Sequence, residues 1–363
     1  MLELRKKIGR YQEQFYLVFI LAIGCLMSMG LESSDRPYQI VFAVVSVFWG
    51  LKMLSTDFTK KEIIWMIIIA FPIGLNFLGN HEKTLIMTAM AIFGAKNVSL
   101  EKVFKYGFWS KLVVTVGTIT LAALGIINNS SKLLPKKGAY YEVYSYGFGH
   151  PNVTFGNIFL VLTLAILAYG DRLRWYTYLV FTLIVLGAYQ VLMCRTGIVV
   201  WACLLIMLLG YKLARKWKLD RIFLSLFCTL PVLLAVITCI FIALSMYNSE
   251  FSTWINGLLT GRVASMIQAL ENMEHIFLGQ IPRHLYDNLN FYLLYNYGIV
   301  ILIFSLVSYT YAMWHCYKQR KDYEVIILGV IAIYSFMEYF PLSTAWNLSL
   351  LCLSRILFKT RDA

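Results

Sequence analysis

Apolar runs of about 18 to 25 residues recur from one end of this chain to the other, each the length of a helix that crosses a bilayer. In hydrocarbon every backbone N–H and C=O must find a partner inside the protein, so such runs fold as helices or as closed barrels. Runs this long and this apolar select helices. Of 363 residues 60% are apolar and only 14% charged, which leaves almost no chain for a soluble domain. The expected class is an all-α polytopic membrane protein, with residues 1–363 forming one integral membrane domain. The first run follows the basic stretch "LRKKIGR", and "AIGC" inside it resembles a lipoprotein cleavage site. It reads as an uncleaved first span, because further spans follow in phase.

Hydropathy places about 12 spans, near 15–30, 38–54, 62–79, 84–95, 106–127, 153–170, 174–192, 196–212, 221–246, 289–314, 323–340 and 342–357. The fourth is short, and Pro341 breaks the last two into a tight pair. With the N-terminus cytoplasmic, about 24 of the 32 basic residues fall inside and about 8 outside, the bias expected of a membrane protein. Both termini are then cytoplasmic. The net charge of +13 is topological, facing an anionic inner leaflet, and calls for no nucleic acid. The seven cysteines show no CxxC and no metal-ligand spacing, and read as apolar residues in or beside spans.

This topology makes the outer basic residues few: Arg36, Lys83, Lys132, Lys136, Lys137, Arg195, Arg262 and Arg283. Only two outer loops are long, 128–152 and 247–288, and long loops on a rigid scaffold are where binding and chemistry concentrate. Within the second, "GRVASMIQALENMEHIF" carries Val263, Met266, Ile267, Leu270 and Met273 at near-helical spacing, with Glu271 and Glu274 on the other face. Gly261 breaks the chain just before, and Arg262 opens the first turn. A helix N-terminus favours anions, and a guanidinium there adds a forked cation. One reading is a phosphate or pyrophosphate clamp. The other is an amphipathic helix on the headgroups, its arginine paired with lipid phosphate.

Arg195 lies in "VLMCRTGIVVWA", a hairpin tip with almost no loop. A cation at the hydrocarbon edge is costly unless paired or hydrated, and it either snorkels to the headgroups or serves a site. Asp287 and Asn288 sit where the second long loop re-enters the membrane. They read either as an N-cap or as a base or orienting group beside the arginines, and both can hold. At the end of the first long loop, "SYGFGHPNVTFGN" puts His150, Pro151 and Asn152 at the mouth of a span. Tyr140, Tyr141, Tyr144, Tyr146 and Phe148 precede them. These rings suit stacking on sugars, or an interfacial aromatic belt.

Three landmarks in order, "GFGHPN", "CRTG" and "TGR", with the second loop closing as "YDNLNFYLLYNYG", resemble the O-antigen polymerase and ligase superfamily of bacterial membrane glycosyltransferases. The chain is most similar to the Wzy-type repeat-unit polymerases of Gram-positive capsule and exopolysaccharide pathways. The motifs cover about residues 140–300, the rest resembling by topology. The resemblance implies a GT-C-like fold whose large extracytoplasmic loop carries a short amphipathic helix. Arg195 corresponds to the arginine of a serine-arginine-threonine-like turn, with Cys194 in the serine place. Arg262 corresponds to the arginine opening the outer-loop helix. The ligase branch has histidine, asparagine, nine residues and glycine. Here the same frame holds Asp287, Asn288 and Gly298, and the missing histidine argues for the polymerase branch.

The implied reaction moves a glycan from an undecaprenyl-pyrophosphate-linked oligosaccharide onto a sugar hydroxyl of a second lipid-linked unit, at the outer face of the bacterial cytoplasmic membrane. Arginine forks stabilise a departing pyrophosphate without a metal. The sequence lacks a DxD and a GxxxxGK[ST] loop, so no metal and no cofactor is expected. Asp287 and His150 are the candidate catalytic residues, followed by Glu338 and Glu142. Arg195, Arg262, Arg283, Asn152, Asn288 and Tyr146 are the candidate substrate contacts, and Lys132, Lys136 and Lys137 can attract an anionic substrate. Expected partners are that lipid-linked oligosaccharide, membrane lipids, and the flippase and chain-length regulator of the same pathway. A ligase-like transferase and a lipid-linked oligosaccharide flippase are the alternatives. A flippase calls for charges at mid-membrane depth and repeat symmetry between halves.

Overall fold

The computed structural model describes residues 9–31, 35–80, 83–136, 139–277, 279–280 and 284–358. The protein is 78% helix. In chain order, the helices are α1 (Gln12–Ser28), α2 (Arg36–Ser55), α3 (Lys60–Asn80), α4 (Thr84–Gly94) and α5 (Leu100–Ala123). A hairpin of β1 (Ser131–Lys136) and β2 (Ala139–Tyr144) comes next, then α6 (Pro151–Tyr169), α7 (Trp175–Leu192) and α8 (Arg195–Lys216). The remainder holds α9 (Asp220–Phe227), α10 (Leu230–Tyr247), α11 (Ser249–Leu258), α12 (Arg262–Glu271), α13 (Leu289–Lys318) and α14 (Asp322–Met337). After 3-10 turns at Phe340–Leu342 and Leu348–Leu353, the single turn α15 (Ser354–Leu357) follows. Among the described residues seven helices, α2, α3, α6, α7, α8, α10 and α13, are long and apolar enough to cross a membrane. This is a helical membrane protein.

The apolar runs coincide with helices except in two places. The run expected at 221–246 is two helices, because Pro231 opens α10 as a new helix after the break at Cys228–Thr229. The run expected at 342–357 forms 3-10 turns and one α-turn rather than a continuous α-helix. It carries Ser343, Thr344, Asn347 and Ser349, all buried, and Asn347 Oδ1 accepts from Ser349 N–H at 3.1 Å in place of a helical bond. The outer loop at 128–152 contains the β-hairpin, in antiparallel register with Ser131 opposite Tyr144.

The expected single membrane domain contains two compact units, each built from non-contiguous segments. Unit 1 comprises Met1–Glu62, Met90–Ile206 and Thr344–Ala363. There α1 packs on α2 and α5, and α5 on α6. Polar side chains stitch these helices at depth. Asn157 Nδ2 donates to Thr115 Oγ1 at 2.8 Å, Ser28 Oγ to Asn157 Oδ1 at 3.4 Å, and Thr118 Oγ1 to Ser28 O at 3.0 Å. Inside a bilayer such bonds satisfy groups that hydrocarbon cannot. The buried Lys111 Nζ donates to Gly24 O at 3.2 Å and to Ala345 O at 3.1 Å, tying the link between the 3-10 turns to α1 and α5.

Unit 2 comprises Ile63–Ala89 and Met207–Ser343, with α10 packed on α13 and α14, and α12 on α10 and α13. Within it α13 is broken at Gly298, whose backbone sits at φ 84°, ψ 169°, a region essentially reserved for glycine. The break parts Tyr295 O from Ile299 N, which a continuous helix would pair. Both groups are satisfied by the segment before α13: Gln280 N donates to Tyr295 O at 2.7 Å, and Ile299 N donates to Ile276 O at 2.8 Å. A Cβ on Gly279 would lie 2.4 Å from the Asn296 carbonyl, so only glycine lets this segment lie against the broken helix.

Candidate functional site

In unit 2 the chain turns from α11 into α12 through two left-handed residues, Thr260 (φ 54°) and Gly261 (φ 80°). The turn leaves Arg262 at the first helical position. Asn256 Oδ1 accepts the Ala264 N–H at 2.8 Å, so a side chain of α11 already caps this helix N-terminus. Val263, Met266 and Ala269 are buried and Ile267, Leu270 and Met273 half-buried, so the amphipathic face read from the sequence is the packed one. The helix ends at Glu271, short of the expected run.

The Arg262 guanidinium lies between two carboxylates. Nε donates to Asp287 Oδ2 at 3.1 Å and Nη2 donates to Glu338 Oε1 at 3.2 Å. The exposures are unequal: the Arg262 side chain is 12% exposed, Asp287 45% and Glu338 4%. One cation and two anions leave the cluster with a formal charge of −1. Guanidinium has five N–H donors, and these two contacts leave others for a third acceptor.

Asn288 sets the spacing of the two carboxylates. Its Oδ1 accepts from Phe291 N–H at 3.0 Å as the N-cap of α13, and its Nδ2 donates to Phe336 O at 3.0 Å and Thr238 Oγ1 at 3.2 Å. The residue after Asp287 is thereby tied to the carbonyl two positions before Glu338. Both the capping and the site-building readings of the Asp287–Asn288 pair are thus compatible with one geometry. Thr238 lies nine residues before the end of α10 at Tyr247, roughly 13 Å along the axis at 1.5 Å per residue. The cluster is recessed along α10 rather than level with its end. Beside it a small cleft is lined by Phe241, Leu259, Val263, Met266 and Phe336, with Thr238, Arg262 and Asn288 as its polar members.

Rings crowd the approach to Asp287. Tyr286 meets Phe291 and Tyr295 edge-on, each at 5.0 Å between centroids, and His284 meets Tyr295 at 5.9 Å. Burial, and then the neighbouring Tyr295 phenol, push the Tyr286 hydroxyl up to about 12.

The remaining described candidates lie in unit 1. The knot ending the first long loop is a turn with positive φ at Tyr146 (47°), Gly147 (90°) and Gly149 (70°). Gly30 and Gly147 touch backbone to backbone, since a Cβ on Gly30 would sit 1.9 Å from Gly147 O. Tyr146 is half-buried, and its N–H donates to Asn129 Oδ1 at 2.8 Å. His150 is the N-cap of α6, its Nδ1 accepting from Asn152 N–H at 3.1 Å. Arg195 begins α8, is exposed, and has no ion pair among the described residues. Two positions on, Gly197 lies against Phe155 so closely that a Cβ would be 2.0 Å from the ring. This contact brings the N-terminal turn of α8 beside that of α6, so Arg195, His150 and Asn152 share one end of unit 1. Glu142, in β2, is exposed and accepts from Ser131 Oγ at 2.6 Å. Lys132 is exposed, and Lys137 and Arg283 lie outside the described residues.

Sequence reasoning named Glu338 only as a possible base and did not pair it with Arg262, because 76 residues separate them. The one signal was a carboxylate at the end of an apolar run. Asn256 carried no signal beyond being a polar residue on a short helix. Comparison of the chain with family models, with curated proteins and with solved structures finds no match.

Proposed function

We propose that this protein is a metal-independent membrane glycosyltransferase that polymerises undecaprenyl-pyrophosphate-linked oligosaccharide repeat units into a surface polysaccharide. In this reading the chain crosses the bacterial cytoplasmic membrane about 12 times, with both termini inside and the site open to the outside. The observation that carries it is Arg262, held between Asp287 and Glu338 beside a small, mostly apolar cleft. The guanidinium offers charge-assisted bonds to phosphate oxygens, and a half-exposed carboxylate beside it can take the proton of an acceptor hydroxyl. In unit 1, Arg195, exposed and without an ion pair among the described residues, offers a cation that can attract an anionic substrate. The aromatic rings ahead of Asp287 suit the sugar.

The test is a glycan ladder. Purified protein in nanodiscs, given a synthetic undecaprenyl-pyrophosphate repeat unit, is expected to produce a series of longer glycans. Arg195→Ala and Arg262→Ala each abolish it. Glycan found on a non-oligosaccharide acceptor would place the protein with the ligase-like transferases.

The depth of the cluster along α10 favours a second reading, a lipid-linked oligosaccharide flippase, since transporters hold their charges near mid-membrane. Movement of a labelled lipid-linked oligosaccharide between leaflets without formation of a glycosidic bond would establish it.

A further inference from the structure

The two carboxylates on Arg262 are not equivalent. Glu338 is 4% exposed and follows the last residue of α14, its backbone extended and its N–H bonded to Tyr334 O at 2.9 Å. Asp287 is 45% exposed and lies on the loop just ahead of α13. A buried ion has no water to fall back on and keeps its partner, whereas a half-exposed one exchanges its partner for water at little cost. We propose that Glu338 is a positioning residue, the fixed counter-ion of Arg262, and that Asp287 is an exchangeable one which a diphosphate displaces. This rests on the glycosyltransferase reading for its final step.

The sequence of events follows from the geometry. A phosphate oxygen takes the Nε donor that Asp287 occupies, while Nη2 remains on Glu338 and keeps the fork aimed. Asp287, freed of Arg262, is left with both carboxylate oxygens open to a proton. It then accepts the proton of the acceptor hydroxyl as the acceptor oxygen bonds to the donor sugar's anomeric carbon. The bond from that carbon to the diphosphate breaks, and its electron pair leaves on the diphosphate, still held by Arg262. The proton passes from Asp287 to solvent. The base is therefore released only when the donor is in place.

Asn288 makes the exchange local. Its bonds to Phe336 O and Thr238 Oγ1 hold the chain next to Asp287, so only the side chain of Asp287 has to move. Without Glu338, by contrast, the fork is free to close on Asp287 with two parallel bonds, a stronger competitor for the anion.

The experiment measures inorganic pyrophosphate binding and ladder formation on the same full-length protein in phosphatidylcholine nanodiscs. Asp287→Asn is expected to bind pyrophosphate about threefold more tightly, the worth of a half-exposed ion pair, and to lose the ladder. Glu338→Gln is expected to bind roughly tenfold more weakly, although it too removes a negative charge. Opposite signs in the two variants are the signature. Tightening in both would make the cluster a plain charge well and overturn the proposal, as would unchanged binding in both. Should Glu338→Gln fail to fold, Asp287→Asn decides alone, and binding no tighter than wild type refutes the exchange. Pyrophosphate binding abolished in phosphatidylglycerol nanodiscs would assign the site to bulk headgroup phosphate and refute the diphosphate assignment. A wild-type protein with the binding pattern but no ladder would retain the counter-ion exchange and remove the glycosyltransferase reading. A ladder that survives Asp287→Asn would remove Asp287 as base and leave that reading standing.

Discussion

Replacing Gly298 by alanine puts a Cβ on a backbone at φ 84°, ψ 169°. The substituted chain has two ways out, and both cost stability. If the break persists, the strain at residue 298 is about 1–3 kcal/mol. If residue 298 relaxes into the helix, Tyr295 O and Ile299 N pair with each other and regain one ordinary hydrogen bond, worth ~1 kcal/mol. Gln280 N, in a buried residue, then loses Tyr295 O, at about 1–3 kcal/mol, and Ile276 O loses its donor. Either route destabilises unit 2 by roughly 2 kcal/mol, or about 6 °C in a thermal midpoint for a unit of this size. The assay is thermal unfolding in nanodiscs at one fixed scan rate, since midpoints of irreversible transitions depend on it. Gly187→Ala in α7 is the control, because nothing lies within 4 Å of its added Cβ and a helical glycine gains from alanine. A Gly298→Ala protein that melts with or above the Gly187→Ala protein would refute the account of the broken helix. So would Gly279→Ala without effect, since its Cβ meets the same stretch of α13.

Three further outcomes are expected. Arg262→Ala leaves Glu338 buried without its cation and destabilises the protein by about 3 kcal/mol, whereas Asp287→Asn, which removes only the exposed partner, changes stability by under ~1 kcal/mol; thermal midpoints read both. Arg195→Ala abolishes the glycan ladder with a stability change within about 0.5 kcal/mol, because the side chain is exposed and has no ion pair among the described residues. The Tyr286 phenol titrates higher in the folded protein than in the unfolded chain, where it ionises near 10. Its contribution to stability is therefore intact below about pH 10 and lost as pH rises toward about 12, as the unfolded chain sheds its proton first. Unfolding measured across that window should show a smaller loss in Tyr286→Phe than in the parent.

How far the sequence reaches depends on the range of the interaction. Helix positions such as α6 and α7 are legible because burial in lipid imposes apolar length, a local property of the chain. The N-cap at Asn288 is legible for the same reason, since a cap bonds two or three residues ahead. Arg262 opening a helix after Gly261 was readable; its pairing with Glu338 was not, because nothing in either neighbourhood encodes a contact across α12 and the end of α14. The failure at 342–357 has another cause. Hydropathy averages over a window, and Asn347 and its serine neighbours redirect the backbone without lowering that average enough. The break in α13 was visible only as a glycine in an apolar run. Its meaning came from Gln280 and Ile276, which sit on a loop that hydropathy does not describe.

The grip of Lys111 on Ala345 bears on how this chain is made. The two residues lie 234 positions apart. At about 5–20 residues per second a ribosome needs roughly 10 to 50 s to pass from one to the other. Through that interval Lys111 Nζ of α5 holds Gly24 O but lacks its second carbonyl, in a helix already delivered to the membrane. Unit 1 is therefore finished by a segment synthesised long after its first helices. Helices inserted early have to wait, partly assembled, for a strand of irregular backbone to arrive and lock them.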